Sequence, residues 1–192
     1  MQKVILIGDS IRAGYEKIVR RELAPLARVH VPRGSGGDSQ RTLEHLEEWI
    51  ITQEAAVVHL NCGLHDLKKE FGADENAVPL AQYQTNLRHI MLSIQRHTQA
   101  IPIWATTTPV IEKWHHQVKN FDRFEADVRA YNKAALDSAN ACGIPVNDLF
   151  AAMCAAGPEH YLLADGVHFT EAGSTLLGKA VSASIKKHLG PV

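Results

Sequence analysis

The sequence predicts an α/β domain in which a parallel sheet is covered by helices on both faces. Short β-branched runs alternate with longer segments of helical periodicity, which is the pattern of strand–helix–strand units. The first and third runs are nearly continuous apolar stretches, as strands buried on both faces require. At 192 residues, with 45% apolar and 21% charged side chains, the chain is long enough for one sizeable core.

The strands fall at residues 3–7, 27–31, 55–61, 102–106 and 144–147. Between the first three, helices are expected at about 11–22 and 40–52. Leu80, Tyr83, Leu87, Ile90, Met91 and Ile94 recur at three- and four-residue spacing and mark a helix over 81–97. Phe124, Val128, Tyr131 and Ala135 mark another over 122–141, which ends near Cys142-Gly143 with Pro145 beyond. Leu177, Val181, Ile185 and Leu189 line a last helix that begins after Thr170. The longest irregular stretch is 109–120. No repeat, low-complexity segment or linker interrupts the pattern, so 1–192 reads as a single domain.

Twenty basic against twenty-one acidic residues leave a formal net charge of -1, which offers no field for nucleic acid or an anionic membrane. Three cysteines (Cys62, Cys142, Cys154), an odd number without a Cys-x-x-Cys spacing, argue against a disulfide framework or a structural zinc site and for reduced thiols. The opening apolar run, Val4-Ile5-Leu6-Ile7, is too short for a signal peptide or a membrane span. These features point to a cytoplasmic protein without membrane insertion. No spacing suggests a metal site, and no motif calls for a cofactor; the oligomeric state is not encoded in any visible pattern.

Chemistry-bearing residues cluster in the segments that follow strands, where open α/β sheets bind ligands. Ser10, in Gly8-Asp9-Ser10, stands where the first strand meets a helix. A serine there either caps the helix or acts as a nucleophile under the positive helix end. A nucleophile needs a base, and the base needs an orienting group. Asp165-Gly166-Val167-His168 offers both, with a spacing that lets Asp165 reach one ring nitrogen while the other faces Ser10; the plain alternative is a local turn before the last helix. The loop Arg33-Gly34-Ser35-Gly36-Gly37-Asp38 can point several N–H groups outward, as anion-binding nests do, but it matches no phosphate-loop motif. Asn61-Cys62-Gly63-Leu64-His65-Asp66 follows the third strand.

Together these four blocks, in this order and spread over nearly the whole chain, resemble the SGNH (GDSL-type) hydrolase superfamily. The resemblance implies a flavodoxin-like three-layer α/β/α sandwich with about five strands in the order 2-1-3-4-5. It implies a serine esterase with Ser10 as nucleophile, His168 as base and Asp165 as the acid that orients it. The oxyanion would be held by the N–H groups of Ser10 and Gly37 and by a side chain from a Gly-x-Asn-Asp motif. Here that motif reads Gly63-Leu64-His65-Asp66, so His65 takes the asparagine's place as third donor, with Asn61 as the substitute. The implied substrate is a small-molecule ester, an acetylated carbohydrate first. A lipid-directed esterase, lysophospholipase or acyl-thioesterase is the alternative, and a non-catalytic binding module on the same fold is the second. A phosphate- or flavin-binding protein would leave Asp165 and His168 without a role.

Three further expectations concern eight single residues. Trp114, His115 and His116 either line a sugar or acyl pocket or cover the 109–120 loop. Arg12 and Tyr15, one turn into the first helix, either approach substrate or form an ordinary face. Asp9, Asp38 and Asp66 hydrogen-bond to loop backbones rather than do chemistry.

Overall fold

A computed structural model describes residues 1–190. Its elements run β1 (Gln2–Ile7), α1 (Ser10–Leu23), β2 (Ala27–His30), α2 (Ser39–Glu44), α3 (Leu46–Trp49) and β3 (Val57–Leu60). They continue with β4 (Lys69–Glu70), α4 (Leu80–His97), β5 (Ile101–Ala105), α5 (Glu112–Val118) and β6 (Phe121–Asp122). The chain ends with α6 (Glu125–Ala141), β7 (Val146–Asn147), α7 (Leu149–Ala156) and α8 (Glu171–Lys186).

Five strands form one parallel sheet in the order β2-β1-β3-β5-β7, the 2-1-3-4-5 arrangement when only these strands are counted. Val4, Ile5, Leu6 and Ile7 are wholly buried, which follows from helices covering both faces. One helical layer is built by α1 packing on α8 with α7 beside it, the other by α4 packing on α6 and α2. The apolar stripe Tyr83, Leu87, Ile90, Met91 and Ile94 of α4 is buried throughout, as its spacing requires.

Register decides where the loops emerge. Ile7 pairs with Leu60, and Leu60 with Trp104, so three central strands end level with one another. Gly8, Asn61 and Thr106 therefore leave the sheet along one edge. The crossover geometry of parallel strands sends the β2 loop to the same edge.

Four departures from the sequence reading have local causes. The expected helix at 40–52 is broken into α2, α3 and a single 3-10 turn at Ile51–Gln53, with His45 and Ile50 outside helical geometry. The 109–120 stretch is not irregular: α5 fills most of it. The helix expected from 122 starts at Glu125, because Phe121–Asp122 pairs antiparallel with Lys69–Glu70 in a two-stranded ribbon. Finally α7, rich in apolar residues, follows β7 without a stripe to announce it.

Candidate active site

The start of α1 separates two roles that one residue could have combined. Asp9 is the cap: its Oδ1 accepts the N–H of Ile11 at 2.9 Å. Ser10 is thereby left free of capping duty and exposed, and its Oγ lies 2.8 Å from Nε2 of His168. The other ring nitrogen, Nδ1, lies 2.5 Å from Oδ2 of Asp165. An ionised carboxylate only accepts, so Nδ1 carries the proton and Nε2 presents its lone pair to the Ser10 hydroxyl. The two loops that contribute these residues are 158 positions apart in sequence.

Asp165 is held from several sides. Its Oδ1 accepts the backbone N–H groups of Val167 at 3.1 Å and His168 at 2.9 Å. Burial pushes its carboxyl up, but the hydrogen bonds from the His168 ring and from the two amides outweigh that and hold it down at about 2. The loop is docked on α5 through Ile111 N–H donating to the Gly166 carbonyl at 2.8 Å. His115 is wholly buried; its Nδ1–H donates to the Asp165 carbonyl at 3.2 Å, while its Nε2 has no partner. Burial lowers the His115 pKa, so the ring stays neutral and serves as a prop.

The Gly-rich loop meets the Ser10 loop at contact distance. Gly36 has φ +125°, and a Cβ there would stand 2.7 Å from the Gly8 carbonyl oxygen, so only glycine allows this approach. Asp38 caps α2 by accepting the Arg41 N–H at 2.8 Å. Asp66 crosses from the third block to accept the Ser39 N–H at 2.8 Å. The expected backbone duties of Asp9, Asp38 and Asp66 are all present. The N–H groups of Ser10 and Gly37 make no hydrogen bond among the described residues, which leaves both available to a ligand.

Asp66 is buried, and its Oδ2 has no partner. Burial, aided by the nearby Asp38 charge and opposed by the Ser39 hydrogen bond, pushes its carboxyl up to about 7. His65, in the turn before it, is exposed and makes no hydrogen bond among the described residues. Asn61 is committed elsewhere: its amide donates to the Ala105 carbonyl at 2.8 Å and to Thr107 Oγ1 at 3.3 Å. Gly63 packs so tightly on Thr107 that a Cβ would sit 2.1 Å from Oγ1.

Arg12 bonds to Glu16 at 2.5 Å, and Tyr15 is sealed in the core, where burial drives its phenol far above the usual range. His116 pairs with Asp122 at 2.7 Å and packs tilted against the half-exposed Phe71, with ring centres 5.0 Å apart. Sequence reasoning left His115 open between pocket and cover, and missed Arg123, whose Nε donates to the Leu64 carbonyl at 2.6 Å. No group of three metal-ligating side chains occurs among the described residues, and no helix there is long and apolar enough to cross a membrane.

The family model described as GDSL-like lipase/acylhydrolase matches residues 6–176. The chain belongs to the GDSL-like lipase/acylhydrolase family. A lipase/acylhydrolase from Enterococcus faecalis is similar over 100% of this chain and 99% of its own, at 25% identity and a TM-score of 0.82. An acetylxylan esterase from Geobacillus stearothermophilus shares the fold at 20% identity and TM-score 0.76, covering 96% of this chain and 94% of its own. A GDSL-like lipase from Bacteroides thetaiotaomicron does so at 20% identity and TM-score 0.75, over 98% and 89%. No curated protein sequence matches. Family membership makes this GDSL-like protein a carboxylic ester hydrolase of the serine type.

Proposed function

We propose that the protein hydrolyses short acyl esters, acetyl first, on carbohydrate, with Ser10 as nucleophile, His168 as general base and Asp165 as its orienting acid. One observation carries this reading: the continuous hydrogen-bond path from Ser10 Oγ through the imidazole to Asp165. In the reaction His168 Nε2 takes the Ser10 proton while Oγ bonds to the ester carbonyl carbon. The carbonyl oxygen becomes an oxyanion, held by the N–H groups of Ser10 and Gly37. His168 then gives its proton to the departing alcohol oxygen, leaving an acyl-serine. Water, deprotonated by the same ring, releases the acid and restores Ser10. Asp165 remains ionised throughout and stabilises the transient imidazolium.

His65 is the third oxyanion donor in this reading, since it stands at the motif position that otherwise supplies a side-chain donor. The commitment of Asn61 to strand β5 supports His65 over that substitute. The acetyl-carbohydrate preference draws support from the acetylxylan esterase among the structural neighbours and from the polar, aromatic-bearing surface at His116 and Phe71.

A serine-directed phosphonate combined with a panel of acetylated sugars and aryl esters of graded chain length tests the proposal. Labelling of Ser10 and rates that fall with acyl length are expected. An unmodified Ser10 and untouched esters would leave the binding-module reading standing. Rates that rise with chain length would favour the lipid-directed esterase.

A further inference from the structure

Arg123 is 7% exposed, yet no carboxylate among the described residues pairs with it; the ion pairs of the chain involve other arginines, lysines and histidines. Its Nε is spent on the Leu64 carbonyl, and its guanidinium lies over Phe121, 4.9 Å from the ring centre. The terminal nitrogens donate to nothing among the described residues and keep some contact with solvent. The Lys68 ammonium approaches the same ring, 4.5 Å from its centre, and places a second cation beside the first. Burial lowers the Arg123 pKa, and the carboxylates that offset this are Asp9 and Asp165, which flank Ser10 and His168. The Phe121 ring beneath the guanidinium meets His115 edge-on, with ring centres 5.2 Å apart, and His115 donates to the Asp165 carbonyl, so these contacts tie Arg123 to both the Gly63–Asp66 turn and the Asp165 loop.

A buried cation without a carboxylate in direct contact is costly, and a ligand carboxylate would relieve that cost. A planar fork with free N–H groups fits a carboxylate in two-point contact. We propose that Arg123 is the anion-recognising residue of this active site, taking a carboxylate carried by the substrate close to its ester, so that the enzyme favours acidic esters over their neutral counterparts. The inference rests on the esterase reading above and names the substrate class of that site. A purely structural Arg123, holding only the Leu64 carbonyl, would affect every ester alike.

A matched pair separates the two: para-acetoxybenzoate, which bears a carboxylate, and its neutral methyl ester. Wild type is expected to prefer the acid, chiefly through KM. In Arg123→Met the ratio of kcat/KM values, acid over neutral, should fall about tenfold to a hundredfold, the contribution of one charge-assisted pair. Arg123→Lys, which keeps the charge but not the fork, should recover part of it. An unchanged ratio in Arg123→Met overturns the proposal, whatever happens to the absolute rates. Calorimetric binding of the product, para-hydroxybenzoate, gives an answer that does not need turnover. Tighter binding by wild type than by Arg123→Met supports the anion site, and equal binding refutes it. Failure of wild type to hydrolyse either ester sinks the esterase reading instead, and the binding result still decides the role of Arg123.

Discussion

Replacing Asp66 by asparagine should reshape the dependence of stability on pH. Burial and the Asp38 charge raise the Asp66 carboxyl from 3.8 to about 7, so the folded chain holds this proton more tightly than the unfolded one. A raised pKa contributes stability that is complete below the unfolded value and lost as pH climbs through the folded one. Between about pH 5 and about pH 8 the loss integrates to about 2.5 kcal/mol at roughly 1.4 kcal/mol per pH unit. His59 works against it: burial lowers its pKa from 6.5 to about 3, so its contribution is present above 6.5 and lost as pH falls. The two effects oppose each other across the same window, and the wild-type profile alone would conceal both. Asparagine mimics the protonated carboxyl in shape and still accepts the Ser39 N–H, but its unpartnered amide costs about 1–3 kcal/mol at every pH. The informative quantity is therefore the difference between variant and wild type, measured by urea unfolding at each pH. That difference should move in favour of Asp66→Asn by about 2.5 kcal/mol from about pH 5 to about pH 8, or about 5–10 °C in Tm. A difference that does not change with pH would refute the assignment of a protonated, buried Asp66.

Asp165→Asn should lower kcat by about four orders of magnitude with little change in KM, because the wrong imidazole tautomer then faces Ser10; steady-state kinetics on an aryl acetate reads both. Since the Asp165 carboxyl is held at about 2, its own titration should leave activity unaffected until strongly acidic pH, and a rate change in wild type that disappears in Asp165→Asn near neutrality would contradict this. His65→Asn should retain substantial activity while His65→Ala cuts turnover by about a hundredfold or more, and equal rates for His65→Ala and wild type would remove His65 from the oxyanion site. Gly36→Ala forces a Cβ to 2.7 Å from the Gly8 carbonyl at a backbone angle alanine avoids. It should cost about 1–3 kcal/mol in a denaturation experiment and reduce turnover by displacing the neighbouring Gly37 N–H.

The strands, the main helices and the edge where loops gather were legible because period and spacing are local properties of the chain, whereas the strand order came only with the resemblance to the hydrolase superfamily. The strands at 3–7 and 55–61 announce themselves as apolar runs, and α4 shows its stripe from Leu80 to Ile94, over about four turns. Elements without a pattern stayed hidden. The segment Leu149–Ala156 reads Leu-Phe-Ala-Ala-Met-Cys-Ala-Ala and has no polar face, although Asp148 as cap and Gly157 at the end frame it. In α5 no side chain caps the first turn, and Glu-Lys-Trp-His-His-Gln-Val carries no regular apolar spacing. The β4/β6 ribbon joins residues about fifty positions apart, a pairing that no short window contains. The same limit applies to the site. Ser10, Asp165 and His168, the proposed triad, stand in ordered motifs, whereas the placement of Arg123 and His115 depends on contacts with Leu64 and the Asp165 carbonyl. Nothing near Arg123 in the sequence sets it apart, and the Trp114-His115-His116 run marks His115 without telling pocket from cover.

The division of labour at the start of α1 has a practical consequence. Asp9 secures the helix, and the hydroxyl of Ser10 contributes no bond to its backbone. If Ser10 is the nucleophile, as proposed, Ser10→Ala should remove the reacting hydroxyl and leave the helix start intact. Such a variant would hold an uncleaved ester long enough to be captured by soaking or by affinity isolation. The natural substrate could then be identified by retrieving it rather than by guessing it.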